Sequence, residues 1–354
     1  MSLPFAIPAR SPVRQIRAGP AAPKELAASR TQPMAGFEPD FTDIVEYIVR
    51  ITDEIWADRD IGRIYDTYAA DCVIFSGMGT VRSVEEVVAG TIMGLNGTPD
   101  GITSHIAIAW SGDEEQGFYT SHLGFGCSTN HGETMFGGPT GKRIERYFVA
   151  DCISKDNKIH TEWLMRDNGA MVRQMGLDLH KVARRLADQP APAEAPWRPE
   201  RPLRPTRTRY SGVCDTPGHW AEHHFQDIWN MRLLTHVSFH YAPEAVVHWC
   251  GGFSAEGTTA IQSLILSLLA SFPDCFVHVD NVCWAEEGDG VILAVRWMLE
   301  GRTRSGGLLG PLPSDKAINL LGSSHFRFDV TSGLIVEEWT VFDEVAAIIA
   351  AYRA

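Results

Sequence analysis

The sequence predicts an α+β protein in which one fold occurs twice in tandem. The main observation is a repeat of landmarks: Trp56 stands twelve residues before Tyr68, and Trp229 stands twelve residues before Tyr241. A Pro-Asp pair precedes a tryptophan at equal spacing in each half, and a Trp-x-x-x-Asp segment closes both halves. Within each half, helical periodicity comes first and strand-like segments follow, which indicates helices packed on an antiparallel sheet. Two long copies indicate tandem domains, because a solenoid needs three or more short units.

The elements of the first copy can be predicted in chain order. Apolar residues at helical spacing predict a helix over Asp43–Ala57 with Thr42 as its cap, and a short helix over Ile61–Tyr68 follows. A strand at Asp71–Phe75 precedes a third helix, Ser83–Met93, whose Ser-x-x-Glu start fits a capping box. Only strands are predicted after that: Thr103–Trp110, Phe118–Phe125, Arg143–Ile153 and Lys158–Met165. A strongly curved sheet of this kind curls around its helices and leaves a conical cavity, which is a natural small-molecule site.

Composition divides the chain into four parts. Residues 1–36 are rich in Ala, Pro, Ser and Arg, show no periodicity and are predicted to form a flexible arm that could pack on a partner subunit. The first domain is predicted over residues 37–187 and the second over residues 219–354. Between them, residues 188–218 form a Pro- and Arg-rich linker, whose arginines we expect on an acidic domain surface.

Charge and composition exclude several classes of partner. The net charge of -13 argues against nucleic acid, because phosphate binding needs a basic surface. The longest apolar run, near Ile261–Ala270, is too short and too polar to span a membrane, and the N-terminus lacks the apolar core of a signal peptide. Seven cysteines without Cys-x-x-Cys spacing indicate buried thiols in a reducing compartment. We therefore expect a cytoplasmic protein with a small-molecule substrate, and neither nucleic acid nor membrane as a partner.

Several segments resemble a known family. These are the turn Gly138–Arg143 before a strand, the run Ile159–Asp167, and their counterparts Pro313–Lys316 and Gly333–Asp343. They are similar to the SnoaL-like branch of the NTF2-like superfamily, and the resemblance covers both domains but not the arm or the linker. It implies two tandem NTF2-like cone-shaped domains. It also implies dimerisation through the outer sheet face, which the two copies could form as an internal pseudo-dimer, alone or within a homodimer.

The catalytic pattern of the family is incomplete in this chain. In the polyketide cyclases of the family, an aspartate directly after the conserved Trp acts as acid and base, assisted by a histidine on the preceding strand. The position after Trp holds Leu164 in the first copy and Thr340 in the second. The histidine position aligns at about Val149 and at His325. The cyclase mechanism therefore does not transfer intact, and other groups would have to carry the chemistry.

Strand alternation suggests such groups in the first copy. Glu162 and Arg166 share one strand face, and the neighbouring strands bring Asp151 and His122 as candidates for the same cavity. Burial in an apolar cone raises the pKa of a carboxyl group towards neutrality, which suits acid–base catalysis. An adjacent arginine would keep the carboxylate ionised and could stabilise a developing enolate. The alternative is a buried Glu–Arg pair that only ties two strands together.

The second copy offers a different set. His248, His325 and Glu338 could form a proton shuttle near neutral pH, and the alternative is that these histidines are hydrogen-bonded structural residues. A further group of aromatic and acidic residues at repeated or strand positions supplies candidate substrate contacts, although a core role is the favoured interpretation for the two tryptophans. These are Tyr65, Tyr68, Trp56, Trp229, Tyr241, Tyr147, Asp167 and Asp343.

One motif suggests a metal and is interpreted otherwise. His219, Glu222 and His223 match the His-x-x-Glu-His pattern of a class of zinc proteases. The repeat aligns them with the outer helix of the first copy, and no third ligand is evident in the sequence. We interpret the motif as a polar helix face and expect no metal and no other cofactor.

Two hypotheses for function remain. The first is a cofactor-independent lyase, isomerase or cyclase that removes a proton beside the carbonyl of a small, mostly apolar substrate. The second is a non-catalytic small-molecule-binding tandem domain with one degenerate copy. The two copies differ where a cavity would be lined, so at most one of them is expected to perform a reaction.

Overall fold

The computed structural model describes residues 3–16, 30–192, 194, 197–199, 214–288 and 290–353. The elements of the first unit are α1 (Ile44–Thr52), α2 (Arg63–Thr67), β1 (Tyr68–Ser76), β2 (Gly79–Val81), α3 (Val84–Gly97), β3 (Ile102–Asp113), β4 (Gly117–Thr129), β5 (Arg143–Lys155), β6 (Lys158–Arg166), α4 (Asn168–Gln174) and α5 (Leu179–Ala187). Those of the second unit are α6 (Pro217–His224), α7 (Val237–His240), β7 (Tyr241–Trp249), β8 (Phe253–Glu256), α8 (Thr258–Ser271), β9 (Phe276–Glu287), β10 (Gly290–Arg302), β11 (Ala317–Asp329), β12 (Ile335–Phe342) and α9 (Glu344–Arg353).

The predicted α+β class is confirmed, and the two units repeat the same order of helices and strands up to the last strand of each. The first helix of each unit continues into a π-helical turn, Asp53–Ala57 after α1 and Phe225–Asn230 after α6. The cap of α1 is Asp43 rather than Thr42, because the Asp43 side chain accepts a hydrogen bond from the Glu46 backbone N–H. Thr42 instead donates its own N–H and hydroxyl to the Glu46 carboxylate.

Helices after the last strand of each unit were not predicted. α4 and α5 follow β6, and α9 follows β12. Asp167 caps α4 by accepting from the Ala170 N–H, and Asp343 accepts from the Ala346 N–H at the start of α9. The two aspartates that close the sequence repeat therefore mark helix starts.

The strands form one twelve-stranded sheet in the order β2-β1-β6-β5-β4-β3-β9-β10-β11-β12-β7-β8. Each unit supplies six strands with the same pairings, including a parallel pair between its first and last long strands. A single bridge between Trp110 and Trp284 joins the two halves. The equal pairings show that the two units share one topology.

The sheet of each unit has an inward face and an outward face. In the first unit, the inward residues Ile108, Phe118 and Cys152 pack against α1. The outward faces of the two units pack against each other in a shared apolar cluster: Ala107, Leu123, Val149, Trp163, Met165, Ala285, Ile292, Trp339 and Val341. The two cones therefore lie back to back, and each opens away from the other unit's sheet.

The N-terminal residues differ from the expected flexible arm. Phe5 is buried in the core of the second unit, with its ring 5.9 Å from Trp220. Arg10 lies between Trp110 and Trp284, with its guanidinium carbon 4.0 and 3.5 Å from the two ring centres, and donates to both of their carbonyl groups. Residues 3–16 thus contact both units at the point where the sheets join. Residues 17–29 lie outside the described residues.

The linker is described only in part. Arg198 lines a surface groove together with Asp274 and Glu300 of the second unit. This placement agrees with the expected acidic surface for that one arginine. The remaining linker arginines lie outside the described residues: Arg201, Arg204, Arg207 and Arg209.

All seven cysteines are free thiols in buried positions. In the described part of the chain, none of the helices combines the length and the apolar character needed to cross a membrane.

Candidate active site

Strand pairing sets the inward face of the first unit's sheet. Cys152, which packs on α1, pairs with Thr120 of β4 and with Glu162 of β6. Residues paired across neighbouring strands point to the same side of a sheet, so Glu162 faces the inside of the cone. Two further rows face the same way: His122, Ala150 and Leu164, then Gly124, Phe148 and Arg166.

The inside of this cone is open. Phe148, Ala150, Leu164 and Arg166 are partly exposed although their strands lie in the middle of the first unit's sheet. Their outward neighbours Val149 and Met165 are buried against the second unit. We infer that this exposure comes from within the cone and marks an accessible cavity over β5 and β6.

Glu162 forms one wall of this cavity. Its Oε2 accepts a hydrogen bond of 3.2 Å from the Tyr68 hydroxyl. Burial raises the pKa of Glu162, and the charge of Arg166 opposes that rise. Burial also raises the pKa of Tyr68 well above its ordinary value, so the phenol remains a donor. Burial thus favours the protonated form of Glu162, the form that can donate a proton to a substrate.

Three side chains form a chain of polar contacts at another wall. Asp53 Oδ1 lies 2.9 Å from His105 Nε2, and His105 Nδ1 lies 3.0 Å from His122 Nε2. An ionised Asp53 can only accept, which assigns a proton to His105 Nε2 and leaves His105 Nδ1 to accept from His122 Nε2–H. In this assignment His122 Nδ1 carries a lone pair, and it has no partner among the described residues.

The environment of His122 keeps its ring neutral. Burial lowers the pKa of His122 well below its ordinary value, and the neighbouring His105 and His325 add to this effect. A neutral imidazole can accept a proton, and Asp53 at the far end of the chain can stabilise the positive charge that results. The arrangement is that of a buried base with a supporting relay.

The two walls are separated by a gap of substrate size. His122 is on β4 and Glu162 is on β6, two strands away, which corresponds to about 10 Å at the usual strand spacing. Ala150 of β5 lies between them, and its methyl group fills little of the space. A small molecule over Ala150 can therefore contact both groups.

Two guanidinium groups face the same cavity. Arg166 pairs with Phe148, and Arg146 lies two residues earlier on the inward face of β5. Arg146 donates to Asn168 Oδ1 at 2.8 Å, and burial together with Arg166 lowers its pKa to about 10. In the described part of the chain neither arginine forms an ion pair with a carboxylate. The predicted Glu162–Arg166 pair shares a face without a direct contact, so both cations remain available to an anionic group.

The cone of the second unit is filled by side chains. The Glu338 carboxylate accepts from Tyr241 Oη at 2.5 Å, Trp249 Nε1 at 2.9 Å and Thr340 Oγ1 at 2.6 Å. The cavity left inside has a volume of about 10 Å³, which is room for about one water molecule. It is lined by His224, Phe225, Trp229, Val277, Trp297, Leu299, Ser324, Phe326 and Glu338. Glu338 is thus a buried, fully bonded carboxyl group without access to a substrate.

Asp151 and His325 lie outside both cones, contrary to the prediction. Asp151 is on the outward face of β5, where Tyr119 donates to it at 2.5 Å and Arg296 of the second unit lies 3.4 Å away. His325 is its counterpart on β11, and its Nε2 lies 3.2 Å from Ser121 Oγ of the first unit. The two residues belong to a polar cluster between the units, because their side chains alternate away from the cavity.

His248 and Tyr147 also face outward. The His248 ring stacks on Trp339 with centroids 5.6 Å apart and lies 6.0 Å from the Tyr147 ring of the other unit. The prediction of a proton shuttle made of His248, His325 and Glu338 is therefore wrong, because Glu338 alone points into the second cone.

The other predicted contacts are dispersed. Tyr65 is an exposed surface residue, and Trp56 packs among the first unit's helices. Trp229 stacks on Trp249 in the filled second cone, close to Tyr241 and its bond to Glu338. Asp167 and Asp343 lie at the junction of the units, where Asp167 accepts from the Gly251 N–H at 2.7 Å and Asp343 accepts from Asn168. Of this set, Tyr68 alone contacts the open cavity.

Sequence reasoning missed three residues of the open cavity. His105 lies on the predicted third strand, and its pairing with Gly124 puts it beside the row of Phe148 and Arg166. Asp53 reaches His105 from the π-helical turn, which a helical pattern does not reveal. Arg146 shares the parity of Phe148, so the pairing of β5 with β6 would have identified it.

The sequence profile of the family described as SnoaL-like polyketide cyclase matches residues 221–349. Solved structures similar to the chain include a protein from Jannaschia sp. CCS1 assigned as a SnoaL-like polyketide cyclase, with 19% identity, 39% of this chain and 92% of that chain covered, and a TM-score of 0.32. A phenazine biosynthesis-related protein from Pseudomonas aeruginosa matches at 16% identity over 38% of this chain and 85% of its own, with a TM-score of 0.30.

A third solved structure, TsrD from Streptomyces laurentii, matches at 12% identity over 38% of this chain and 97% of its own, with a TM-score of 0.33. No curated protein matches the chain. The element order, the cone and the profile match agree for the second unit. The family model thus matches residues 221–349, which make up most of the second unit.

Proposed function

We propose that the first unit is a cofactor-independent acid–base enzyme, and that the second unit is a degenerate copy retained for packing. The reaction is proton transfer beside a carbonyl group, followed by isomerisation, elimination or ring closure. The observation that carries this proposal is the open first cone, which has Glu162 on one wall and His122 on another. The second cone keeps the equivalent Glu338 but has no room for a substrate.

The proposed reaction uses the two walls in sequence. Neutral His122 accepts the proton from the carbon beside the carbonyl at Nδ1, and the relay through His105 to Asp53 stabilises the imidazolium. The electrons of the C–H bond move onto the carbonyl oxygen, and the enolate is held by Arg166. Glu162, with its raised pKa, returns a proton to the substrate on the other side. His122 then releases its proton to solvent and Glu162 takes one up, which restores both groups.

The substrate class follows from the lining. Phe148, Ala150 and Leu164 offer an apolar floor for a small carbon skeleton. The two arginines without carboxylate partners favour a substrate that carries an oxyanion or carboxylate in addition to its carbonyl group. This is a narrower class than the mostly apolar molecule expected from the sequence.

Hydrogen–deuterium exchange tests the proposal without knowledge of the natural substrate. Keto acids and diketones are incubated with the full chain in D₂O, and loss of the proton beside the carbonyl is followed by NMR. The wild type should accelerate exchange for at least one member, and His122→Gln should remove the acceleration. His248→Gln, which changes an outward-facing histidine, should not. Equal loss in both variants, or no acceleration across the panel, would reject the proposal.

A non-catalytic binding role is the second candidate. The open cone and its two arginines would also suit a bound anion that undergoes no reaction. In that case a thermal-shift screen would find carboxylate ligands that stabilise the wild type but not Arg166→Gln, while the exchange assay would remain negative.

A further inference from the structure

The second unit contains a cluster of metal-ligating side chains outside its cone. His223 lies at the end of α6, Asp227 lies one turn later in the π-helical turn, and His240 ends α7. One ligand atom of each lies within 4.8 Å of the others. Two imidazoles and one carboxylate form a donor set for zinc and similar divalent transition metals.

The distance between two of the proposed ligands fits a shared ion. His223 Nε2 lies 3.2 Å from Asp227 Oδ2. Two ligands on a tetrahedral zinc ion with bonds of about 2.0 Å are about 3.3 Å apart. His236 Nδ1 lies 2.9 Å from the same carboxylate oxygen. Carboxylates that ligate a metal are themselves hydrogen-bonded by surrounding groups, and His236 is placed for that role.

Charge gives a second and independent argument. The repeat aligns His223, Asp227, His236 and His240 with Arg50, Glu54, Arg63 and Thr67 of the first unit. There, Arg63 neutralises Glu54 at 2.7 Å and also binds Glu38. The second unit keeps the carboxylate but replaces the arginine with a histidine. The Asp227 side chain is only 6% exposed, and a buried carboxylate needs a compensating cation.

The edge of the cluster is accessible from solvent. The His236 side chain is 31% exposed, which gives an ion a route from solvent.

We propose that His223, Asp227 and His240 bind one divalent transition-metal ion of the zinc class, with His236 supporting the carboxylate. The site replaces the arginine–glutamate pair that fixes the same corner of the first unit. It fastens α6 to α7, and it uses His223 of the His-x-x-Glu-His motif but not His219. The proposal is independent of the reaction in the first cone.

Zinc binding by the untagged full chain tests this proposal. After chelator treatment and exchange into zinc-containing buffer, the wild type should retain one zinc per chain, measured by elemental analysis and by calorimetric titration. Asp227→Asn and His240→Gln should lose stoichiometric binding, and His236→Gln should weaken it by about 10- to 100-fold. The matched controls His219→Gln and Glu54→Gln should bind like the wild type.

Cobalt gives a readout that needs no variant. Co²⁺ bound by the wild type should show the intense visible bands of a tetrahedral site, and added Zn²⁺ should remove them. Absence of zinc and of these bands in the folded wild type would overturn the proposal. So would an unchanged zinc affinity in folded His240→Gln, or equal losses in His219→Gln and His223→Gln.

Discussion

The two cones have the same strand topology and differ in the hydrogen bonds that their central carboxyl group accepts. Both keep a Tyr–Glu pair, Tyr68 with Glu162 and Tyr241 with Glu338. In the second cone, Trp249 and Thr340 donate two further hydrogen bonds to the glutamate. The equivalent positions in the first cone hold Ser76 and Leu164, and Tyr68 is the one side-chain donor to Glu162 in the described part of the chain. Two substitutions thus distinguish Glu338, a fully hydrogen-bonded core carboxyl group, from Glu162, which can still accept hydrogen bonds from a ligand.

The cones also differ in where they place an aromatic ring. In the first cone, Phe148 of β5 lies over Gly124 of β4; in the second, Trp297 of β10 lies over Gly322 of β11. The ring and the glycine have exchanged strands between the units. Phe148 remains partly exposed, whereas Trp297 is 3% exposed and lines the residual cavity. A duplicated fold can therefore lose its cavity by moving one large side chain to the neighbouring strand.

The largest expected difference is in activity. Glu162→Gln should lower the enzyme-catalysed exchange by about 10²- to 10⁴-fold, because an amide cannot return a proton. Glu338→Gln, its counterpart in the filled cone, should leave the exchange rate unchanged in protein that circular dichroism shows to be folded. Equal losses in the two variants would remove the distinction between the cones.

The next effect is on stability and has the opposite direction. Phe326→Ala removes a ring from the filled cone and should lower the free energy of unfolding by about 3–5 kcal/mol. Its first-unit counterpart, Cys152→Ala, removes only a thiol and should cost about 1 kcal/mol. Urea unfolding of both variants measures the difference. A larger cost at Cys152 would show that the second cone is not the better-packed core.

The glycine pair gives a smaller difference. A methyl group at Gly322 would lie 2.3 Å from the Trp297 ring, and one at Gly124 would lie 2.2 Å from the Phe148 ring. Trp297 is enclosed, so Gly322→Ala should cost about 1–3 kcal/mol. Phe148 can turn into its cavity, so Gly124→Ala should cost less. Thermal unfolding ranks the two variants, and the reverse order would contradict an open first cone.

The smallest difference concerns the aspartates that close the repeat. Burial raises the pKa of Asp167 to about 7 and that of Asp343 to about 6, from the ordinary 3.8. The folded state therefore holds these protons more tightly than the unfolded state, and stability falls as pH rises from about 4 towards each folded pKa. Each site contributes at most about 1.4 kcal/mol per pH unit.

Asparagine variants separate the two aspartates. Asp343→Asn should flatten the loss of stability between pH 4 and about 6, and Asp167→Asn should flatten it up to about 7, measured as unfolding free energies in urea at stepped pH. Between pH values of about 6 and about 7, the slope of stability against pH should change in the Asp167 variant alone. Identical slopes in both variants would contradict the assigned order.

The order of elements could be predicted from the sequence, whereas the contents of the cones could not. Alternation correctly groups Tyr147, Val149 and Asp151 on one face of β5, but it does not say which face points inward. That depends on the pairing of Cys152 with Glu162, which is a long-range register. A choice of the wrong face moves every candidate on the strand to the other side.

The position of His325 shows a second limit. Its true counterpart is Asp151, because Asp151 pairs with Ser121 and His325 pairs with Ala294. The repeat offset differs by two residues between β5 and β6, since the turn before β6 is shorter than the one before β12. An alignment that uses one offset for both strands therefore places the counterpart of His325 two residues too early, at Val149 instead of Asp151.

The relay and the metal cluster were beyond sequence reasoning for a different reason. Asp53 and Asp227 both reach their partners from π-helical turns, which shift side chains relative to a regular helix. His105, His236 and His240 come from other segments of the chain. The chemistry of both groups therefore depends on tertiary placement.

A substrate should occupy the first cone and not the second. A crystal structure of the full chain with a keto acid that is active in the exchange assay would show which cone binds it. The ligand should lie over Ala150, between Glu162 and His122, with its acidic group towards Arg166, and the second cone should be unchanged. A ligand among Trp229, Trp297 and Glu338, or one bound outside both cones, would contradict it.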